Sequence, residues 1–285
     1  CCEFSCGAIL FACDNCRFDC CTNYRYAMNE TQTATVISAK ADNPRQVIEI
    51  NNLRKGFGTE DVLTNVSLKL YNGENLVVLG KSGSGKSVLI KCIVRLLDPD
   101  DGTINVLGED VCACDHNKLS ELRKKIGFLF QSGALYDSMT VRQNLEFPLR
   151  RIKKDLNKNE VDEKIKEVLE HVGLSDTLNK MPSQLSGGMR KRISLARTLV
   201  VDPRIMLYDE PTTGLDPVTS DEISSLINEV KKEYKTSSII ITHDIECART
   251  TADRIIMLLD GEVYQEGVLE KFENSTDPSI KSFFK

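Results

Sequence analysis

Residues 76–90, LVVLGKSGSGKSVLI, constrain the fold of this chain more than any other stretch. Four apolar residues, Leu76 to Leu79, predict a short buried strand, and Val88, Leu89 and Ile90 open a helix. Between them Gly80, Lys81, Ser82, Gly83, Ser84, Gly85, Lys86 and Ser87 fit G-x-x-x-x-G-K-[ST] at every fixed position. Glycines at 80, 83 and 85 reach backbone conformations closed to bulkier residues, so successive N–H groups can turn inward on an anion. A helix opening near Lys86 adds the positive end of its dipole. Residues 80–88, Val88 included, therefore predict a nucleoside-triphosphate cradle, with Lys86 reaching the β- and γ-phosphates and the Ser87 hydroxyl ligating Mg²⁺.

Composition bounds the rest. Over 285 residues the net charge is -5 with no long basic run, which argues against nucleic acid as the main partner. No apolar run approaches the roughly 18 residues of a membrane span, so any membrane role is expected to come through a partner. Seven cysteines fall within the first 21 residues, whereas Cys92, Cys112, Cys114 and Cys247 are scattered and read as reduced. Cys13 and Cys16 have zinc-like spacing, but no second well-spaced pair follows. The chain opens at Cys1, and Met28 is followed by a polar segment. Residues 1–27 are therefore expected to be non-native, from upstream translation or cloning, with a linker from 28 to 45.

From Val47 an alternating pattern predicts a strand, and Val62 to Leu70 a second one after a break at Gly56-Phe57-Gly58. Thr103 to Leu107 and Ile126 to Phe130 are further short strands. Residues 150–172 change character: Val161, Ile165, Val168, Leu169 and Val172 recur at helical spacing behind a charged face. Strands resume at Ile205 to Tyr208, Ser238 to Thr242 and Arg254 to Leu259, and Asp260-Gly261 reads as a hairpin turn before Glu262 to Gln265. Strands alternating with helices around a helical insert predict an α/β fold with a parallel core and a small antiparallel β edge. Ile280, Phe283 and Phe284 in the tail, 271–285, have helical spacing and would pack on their own domain or dock on a partner.

Two further segments carry chemistry. The apolar run Ile205 to Tyr208 ends in Asp209-Glu210, two carboxylates at the sheet edge where the phosphate loop also lies. Asp209 would hold Mg²⁺, directly or through water, and Glu210 would polarise an attacking water. Leu185-Ser186-Gly187-Gly188 reads as a helix start with Ser186 as N-cap, followed by Met189 and the basic Arg190-Lys191-Arg192. Small residues at a helix N-terminus present bare N–H groups to an anion.

A phosphate loop, an LSGG segment ahead of an Asp-Glu strand end, and Gly214-Leu215-Asp216-Pro217 just after it together resemble the ABC-type ATPases. The resemblance covers about residues 46–270 and implies a P-loop ABC nucleotide-binding domain with a helical insert at about 132–186. It implies ATP and Mg²⁺ as ligands, and a homodimer of nucleotide-binding domains in which Ser186, Gly187 and Gly188 act on the phosphates held by the other copy. Asp216 then joins the two sites. Gln131 resembles the glutamine that contacts Mg²⁺ and senses the permease, and His243 the switch histidine that bonds the γ-phosphate. Phe57 either stacks on adenine or belongs to the core. Met189 replaces the glutamine often found there, so that side chain offers no polar contact, while the backbone donors remain.

The run from Phe130 to Val141, with Asn144, Phe147-Pro148-Leu149, the PSQLSGGMRKR segment and Glu246-Cys247-Ala248-Arg249, looks like the ATPases of Mla/Mce lipid-transport systems. That likeness implies the ATP-hydrolysing subunit of a bacterial transporter moving phospholipid or another lipid. It implies attachment at the cytoplasmic face of the inner membrane, an integral permease pair, and an Mce-type or other lipid-binding protein as partner. Gly133, Ala134 and Leu135 would either groove a permease helix or pack on the helical insert. The alternatives are an ATPase for another importer, such as one for polar amino acids, or a soluble ABC protein such as an iron–sulfur assembly factor. A chromosome-associated ATPase would need a long coiled coil between Gln131 and Ser186, which has no room there. A nucleotide-binding module without turnover is disfavoured by Glu210 and His243.

Overall fold

A computed structural model describes residues 45–284. The cysteine-rich segment and the linker therefore lie outside the described residues, but for the linker's last position, Arg45. The elements in order are β1 (Gln46–Phe57), β2 (Glu60–Tyr71), β3 (Asn75–Leu79), α1 (Lys86–Ile93), β4 (Asp101–Val106) and β5 (Glu109–Asp110). Then come α2 (His116–Arg123), β6 (Ile126–Leu129), α3 (Val141–Ile152), α4 (Lys158–His171), α5 (Gly187–Leu199) and β7 (Ile205–Asp209). The chain closes with α6 (Pro217–Tyr234), β8 (Ser237–Thr242), α7 (Ile245–Thr251), β9 (Arg254–Leu259), β10 (Glu262–Gly267), α8 (Leu269–Glu273) and α9 (Pro278–Lys281).

The strands form one sheet in the order β5-β4-β1-β2-β10-β9-β3-β8-β7-β6. From β9 to β6 the pairing is parallel, and β3 lies between β9 and β8. The antiparallel part extends beyond the hairpin of β9 and β10: β1 and β2 pair over twelve residues each, and β4 and β5 continue that arm. β1 also runs on through Phe57, so the expected break narrows to a turn at Gly58-Thr59. Asp260 and Gly261 both have positive φ, as a tight hairpin turn between twisted strands requires.

Period-two alternation in β3 explains why its run is apolar throughout. Leu76 and Val78 join one hydrophobic cluster with α1, α2 and the antiparallel arm, whereas Val77 and Leu79 join the other with α3 to α7. A strand buried on both faces cannot carry a polar side, which is the pattern of a central parallel strand. β7 and β8 divide the same way: Met206, Tyr208 and Ile240 face one cluster, Leu207, Ile239 and Ile241 the other.

α4 buries Val161, Ile165, Val168 and Leu169, the stripe its spacing predicts, and is started by an Asn157–Glu160 capping box. In the tail Ile280 is buried, and Phe283 and Phe284 pack against the core. The tail thus covers its own domain. No helix among the described residues is long and apolar enough to cross a membrane.

Candidate nucleotide site

The end of β3, the phosphate loop and the start of α1 shape a cavity of about 240 Å³. It is lined by Ser82, Gly83, Gly85, Lys86, Ser87 and Val88 from the loop, and by Gln131, Glu210 and His243 from the ends of β6, β7 and β8. Parallel pairing of β3, β8, β7 and β6 puts their carboxyl ends on one edge, and residues distant in sequence converge there. Val62 of β2 also lines the cavity, a position the sequence did not single out. Gly85 shows why β2 comes so close. Its φ is 93°, and a Cβ there would meet the Leu63 side chain at 2.7 Å and the Val62 carbonyl at 3.0 Å.

Lys86 is 5% exposed, and its ammonium donates to the carbonyls of Gly80 (2.8 Å) and Lys81 (3.0 Å). Glu210 Oε1 lies 3.5 Å away. Burial pushes the Lys86 pKa down, and the neighbouring Glu210 carboxylate opposes that shift. The ammonium is thus held over the loop by groups a phosphate oxygen would replace.

Ser87 donates to Asp209 Oδ1 at 2.8 Å. Burial pushes the Asp209 carboxyl up, countered by the Ser87 hydroxyl and by lysines nearby. No three His, Cys, Asp or Glu side chains gather into a cage among the described residues. One hydroxyl beside one carboxylate is instead an oxygen donor set that suits Mg²⁺, which keeps waters and takes phosphate oxygens for its remaining positions.

Glu210 has φ 49°, a left-handed conformation uncommon for a residue of its kind and a mark of functional sites. Its Oε2 accepts from Thr213 Oγ1 at 3.1 Å and lies 2.7 Å from His243 Nδ1. The contact is a hydrogen bond when Nδ1 donates and the Glu210 oxygen accepts. Asp244, next in sequence, caps α7 and accepts from Thr212, which fixes the turn bearing His243.

Ser186, Gly187 and Gly188 are not among the residues lining this cavity. Ser186 caps α5, accepting from Met189 N at 3.2 Å, and both it and Gly187 are exposed. Asp216 caps α6 through Thr219 N (3.0 Å) and Thr219 Oγ1 (2.6 Å), which hold its carboxyl below the ordinary range. The two segments adjoin: side chains at Gly187 and Gly188 would touch Leu215 and Thr219. Phe57 is 48% exposed with the Lys55 ammonium over its ring, so it is not core. Lys191 departs from the solvated basic face its neighbours suggest: it is 7% exposed.

A phosphate loop at the edge of such a sheet, an exposed serine-capped helix end and an acidic strand end together define an ATP-binding cassette. Residues 63–213 match the ABC transporter family, and the chain belongs to it. Among relatives it is 41% identical over 236 residues to the probable ribonucleotide transport ATP-binding protein mkl of Mycobacterium tuberculosis, spanning 83% of this chain and 66% of that protein. It is 37% identical over 254 residues to the protein trigalactosyldiacylglycerol 3, chloroplastic, of Arabidopsis thaliana, spanning 83% of this chain and 73% of that one. Among solved structures, the dimeric post-hydrolysis state of the ATP-binding cassette MJ0796 bound to ADP and Pi superimposes with a TM-score of 0.72 at 34% identity. That match covers 78% of this chain and 98% of MJ0796. The chain spans about two thirds of the mycobacterial relative's length and carries the nucleotide-binding cassette of this family.

Proposed function

We propose that residues 46–270 form the motor domain of a lipid transporter, with the helical insert at about 132–186, and that two copies work as a pair beneath a permease. One observation carries the paired reading: Ser186 and Gly187 lie exposed at the N-terminus of α5, apart from the cavity that Lys86 lines in the same chain. A second copy would bring that helix end to the triphosphate, as the dimeric state of MJ0796 also suggests.

In this reading Gly80 to Val88 wrap the phosphates, Phe57 stacks on adenine, and Lys86 exchanges the loop carbonyls for β- and γ-phosphate oxygens. Ser87 and Asp209, with Gln131, would hold Mg²⁺, which when bound supplies charge neutralisation across those oxygens. Glu210 takes a proton from water, whose oxygen bonds to the γ-phosphorus as the bond to the β-phosphate oxygen breaks, releasing ADP and phosphate. His243 is held on Glu210 through Nδ1, so that nitrogen reaches phosphate only by leaving the carboxylate. Asp216 joins the paired sites, and the Gln131 loop passes the cycle to the permease at the cytoplasmic face of the membrane.

The lipid assignment is supported by the segment from Phe130 to Val141 and by a glycolipid in the printed name of the Arabidopsis relative. Tyr136 and Phe147, both exposed, pack edge to face beside a groove of about 730 Å³ that would seat a permease helix, with an Mce-type or other lipid-binding protein completing the assembly. The ribonucleotide in the name of the mycobacterial relative favours a second reading. Purification with bound partners from solubilised membranes, followed by identification of the small molecules retained, separates the two. Lipid at stoichiometric level is expected, and retained ribonucleotide beyond the ATP site would overturn it. Cysteines replacing Ser82 and Ser186 in a Glu210→Gln background, with Lys86 intact, test the pair: they should crosslink between copies when ATP is added.

A further inference from the structure

The α5 helix carries more than the exposed Ser186. Along one face it holds three residues that grip the loop after β6, spaced three apart. The Lys191 ammonium donates to the Gln131 carbonyl at 2.6 Å. Ser194 fills the space above Gly133, where a Cβ would lie 2.5 Å from its hydroxyl oxygen. The Arg197 guanidinium donates to the Ala134 carbonyl at 2.7 Å and stacks over the Tyr136 ring at 4.8 Å. The gripped loop is unusual: Gly133 (φ 80°) and Ala134 (φ 52°) are successive left-handed residues. A conformation costly for alanine persists only where surroundings impose it.

Lys191 also makes a second contact. The same ammonium reaches the backbone carbonyl of Glu210, at 3.4 Å. No carboxylate lies within ion-pair distance of it among the described residues. Burying a cation against two carbonyls is costly, and hydrophobic packing alone would be satisfied by methionine or leucine here. The contacts unite three parts that chain order separates: the glutamine loop, the carboxylate strand end and the serine-capped helix.

We propose that Lys191 is a positioning residue, which sets Gln131 and Glu210 in register and yokes both to the helix that presents Ser186 to the second copy. A shift of α5 then moves the Gln131 loop and the backbone of Glu210 together. Engagement of Ser186 and alignment of the base become one event. The idea rests on the assignment of Glu210 as the base, and the test is arranged so that the two fail separately.

ATP turnover and ATP affinity are measured for Lys191→Met, Lys191→Gln, Glu210→Gln and the double variant Lys191→Met/Glu210→Gln. Lys191→Met keeps an unbranched stem and removes the donors, and should lower kcat by about 10–100-fold, the effect of a displaced reacting group. Its ATP Kd should stay within about twofold of wild type, because Lys86 is untouched. Lys191→Gln, which keeps N–H donors on a stem one atom shorter, should recover part of the rate. In the Glu210→Gln background Lys191→Met should cost less than about twofold more, since residues acting as a unit are not additive.

Wild-type kcat in Lys191→Met, or a loss that multiplies fully with Glu210→Gln, would overturn the positioning role. So would parallel loss of ATP affinity and Tm, the signature of a merely structural residue. Should Lys191→Met not fold, Lys191→Ser admits water to both carbonyls and is read by the same cycle. A Glu210→Gln variant that turns over normally sinks the assignment of the base instead.

Discussion

Exchanging Glu210 for glutamine keeps the side-chain shape and removes both the proposed base and a buried carboxylate. The carboxylate is 10% exposed, 3.5 Å from the Lys86 ammonium and 2.7 Å from His243 Nδ1. Loss of a general base lowers turnover by ~10²–10⁴-fold, which is about 3–5 kcal/mol of barrier. Binding should move the other way. At 3.5 Å and an effective dielectric of ~20, the gross attraction of Glu210 for Lys86 is about 5 kcal/mol. Desolvation offsets most of that, but what remains competes with phosphate for the same ammonium. Glu210→Gln should therefore bind ATP as tightly as wild type or up to about tenfold more tightly, roughly 1.4 kcal/mol. Single-turnover hydrolysis and equilibrium titration with ATP measure the two halves independently. Turnover near the wild-type rate would remove Glu210 from the chemistry, and a clearly weaker Kd would refute the competition for Lys86.

Three other outcomes are expected. Lys86→Ala removes a charge-assisted donor and should weaken ATP binding by about 10–100-fold; an unchanged Kd by titration would count against the phosphate-loop role. The Tyr208 hydroxyl is fully buried with no hydrogen-bond partner among the described residues, at a cost of about 1–3 kcal/mol. Tyr208→Phe should accordingly raise Tm, by about 2–4 °C per kcal/mol recovered, and calorimetry showing a fall would reveal a missed partner. Asp202 bridges Lys153 and Lys164, and although burial opposes its ionisation these lysines hold its carboxyl below the ordinary range. A depressed carboxyl contributes stability above its unfolded pKa, about 3.9, and loses it as pH falls through the folded value. Asp202→Asn should thus lower Tm at pH 7, by an amount that shrinks toward zero below about pH 4. Asparagine tolerates the φ of 56° at this position, so the charge is what changes; a pH-independent deficit would contradict this.

Much of this protein was written locally in its residues. The strand, glycine turn and helix of residues 76–90 are short-range chemistry, and every lining residue the loop contributes lies within Gly80 to Val88. Alternation along β3 and the helical stripe of α4 were equally legible, because each reports which faces are buried. Gln131, Glu210 and His243 line one cavity because each follows an apolar strand, and parallel strands put such ends on one edge.

What neighbours in space decide could not be seen that way. Arg190-Lys191-Arg192 reads as a charged helix face, yet only the arrival of the 131–134 loop and the end of β7 against α5 makes Lys191 a buried donor. Val62 lines the site because β2 approaches Gly85, and the length of the antiparallel arm depends on cross-strand pairing between distant segments. Sequence pattern encodes what a residue wants to bury, and the tertiary structure determines which groups it meets there. Here that distinction separates the glycine-rich loop, legible in eight consecutive residues, from the contacts of Lys191 with the Gln131 and Glu210 carbonyls, which exist only once the chain has folded.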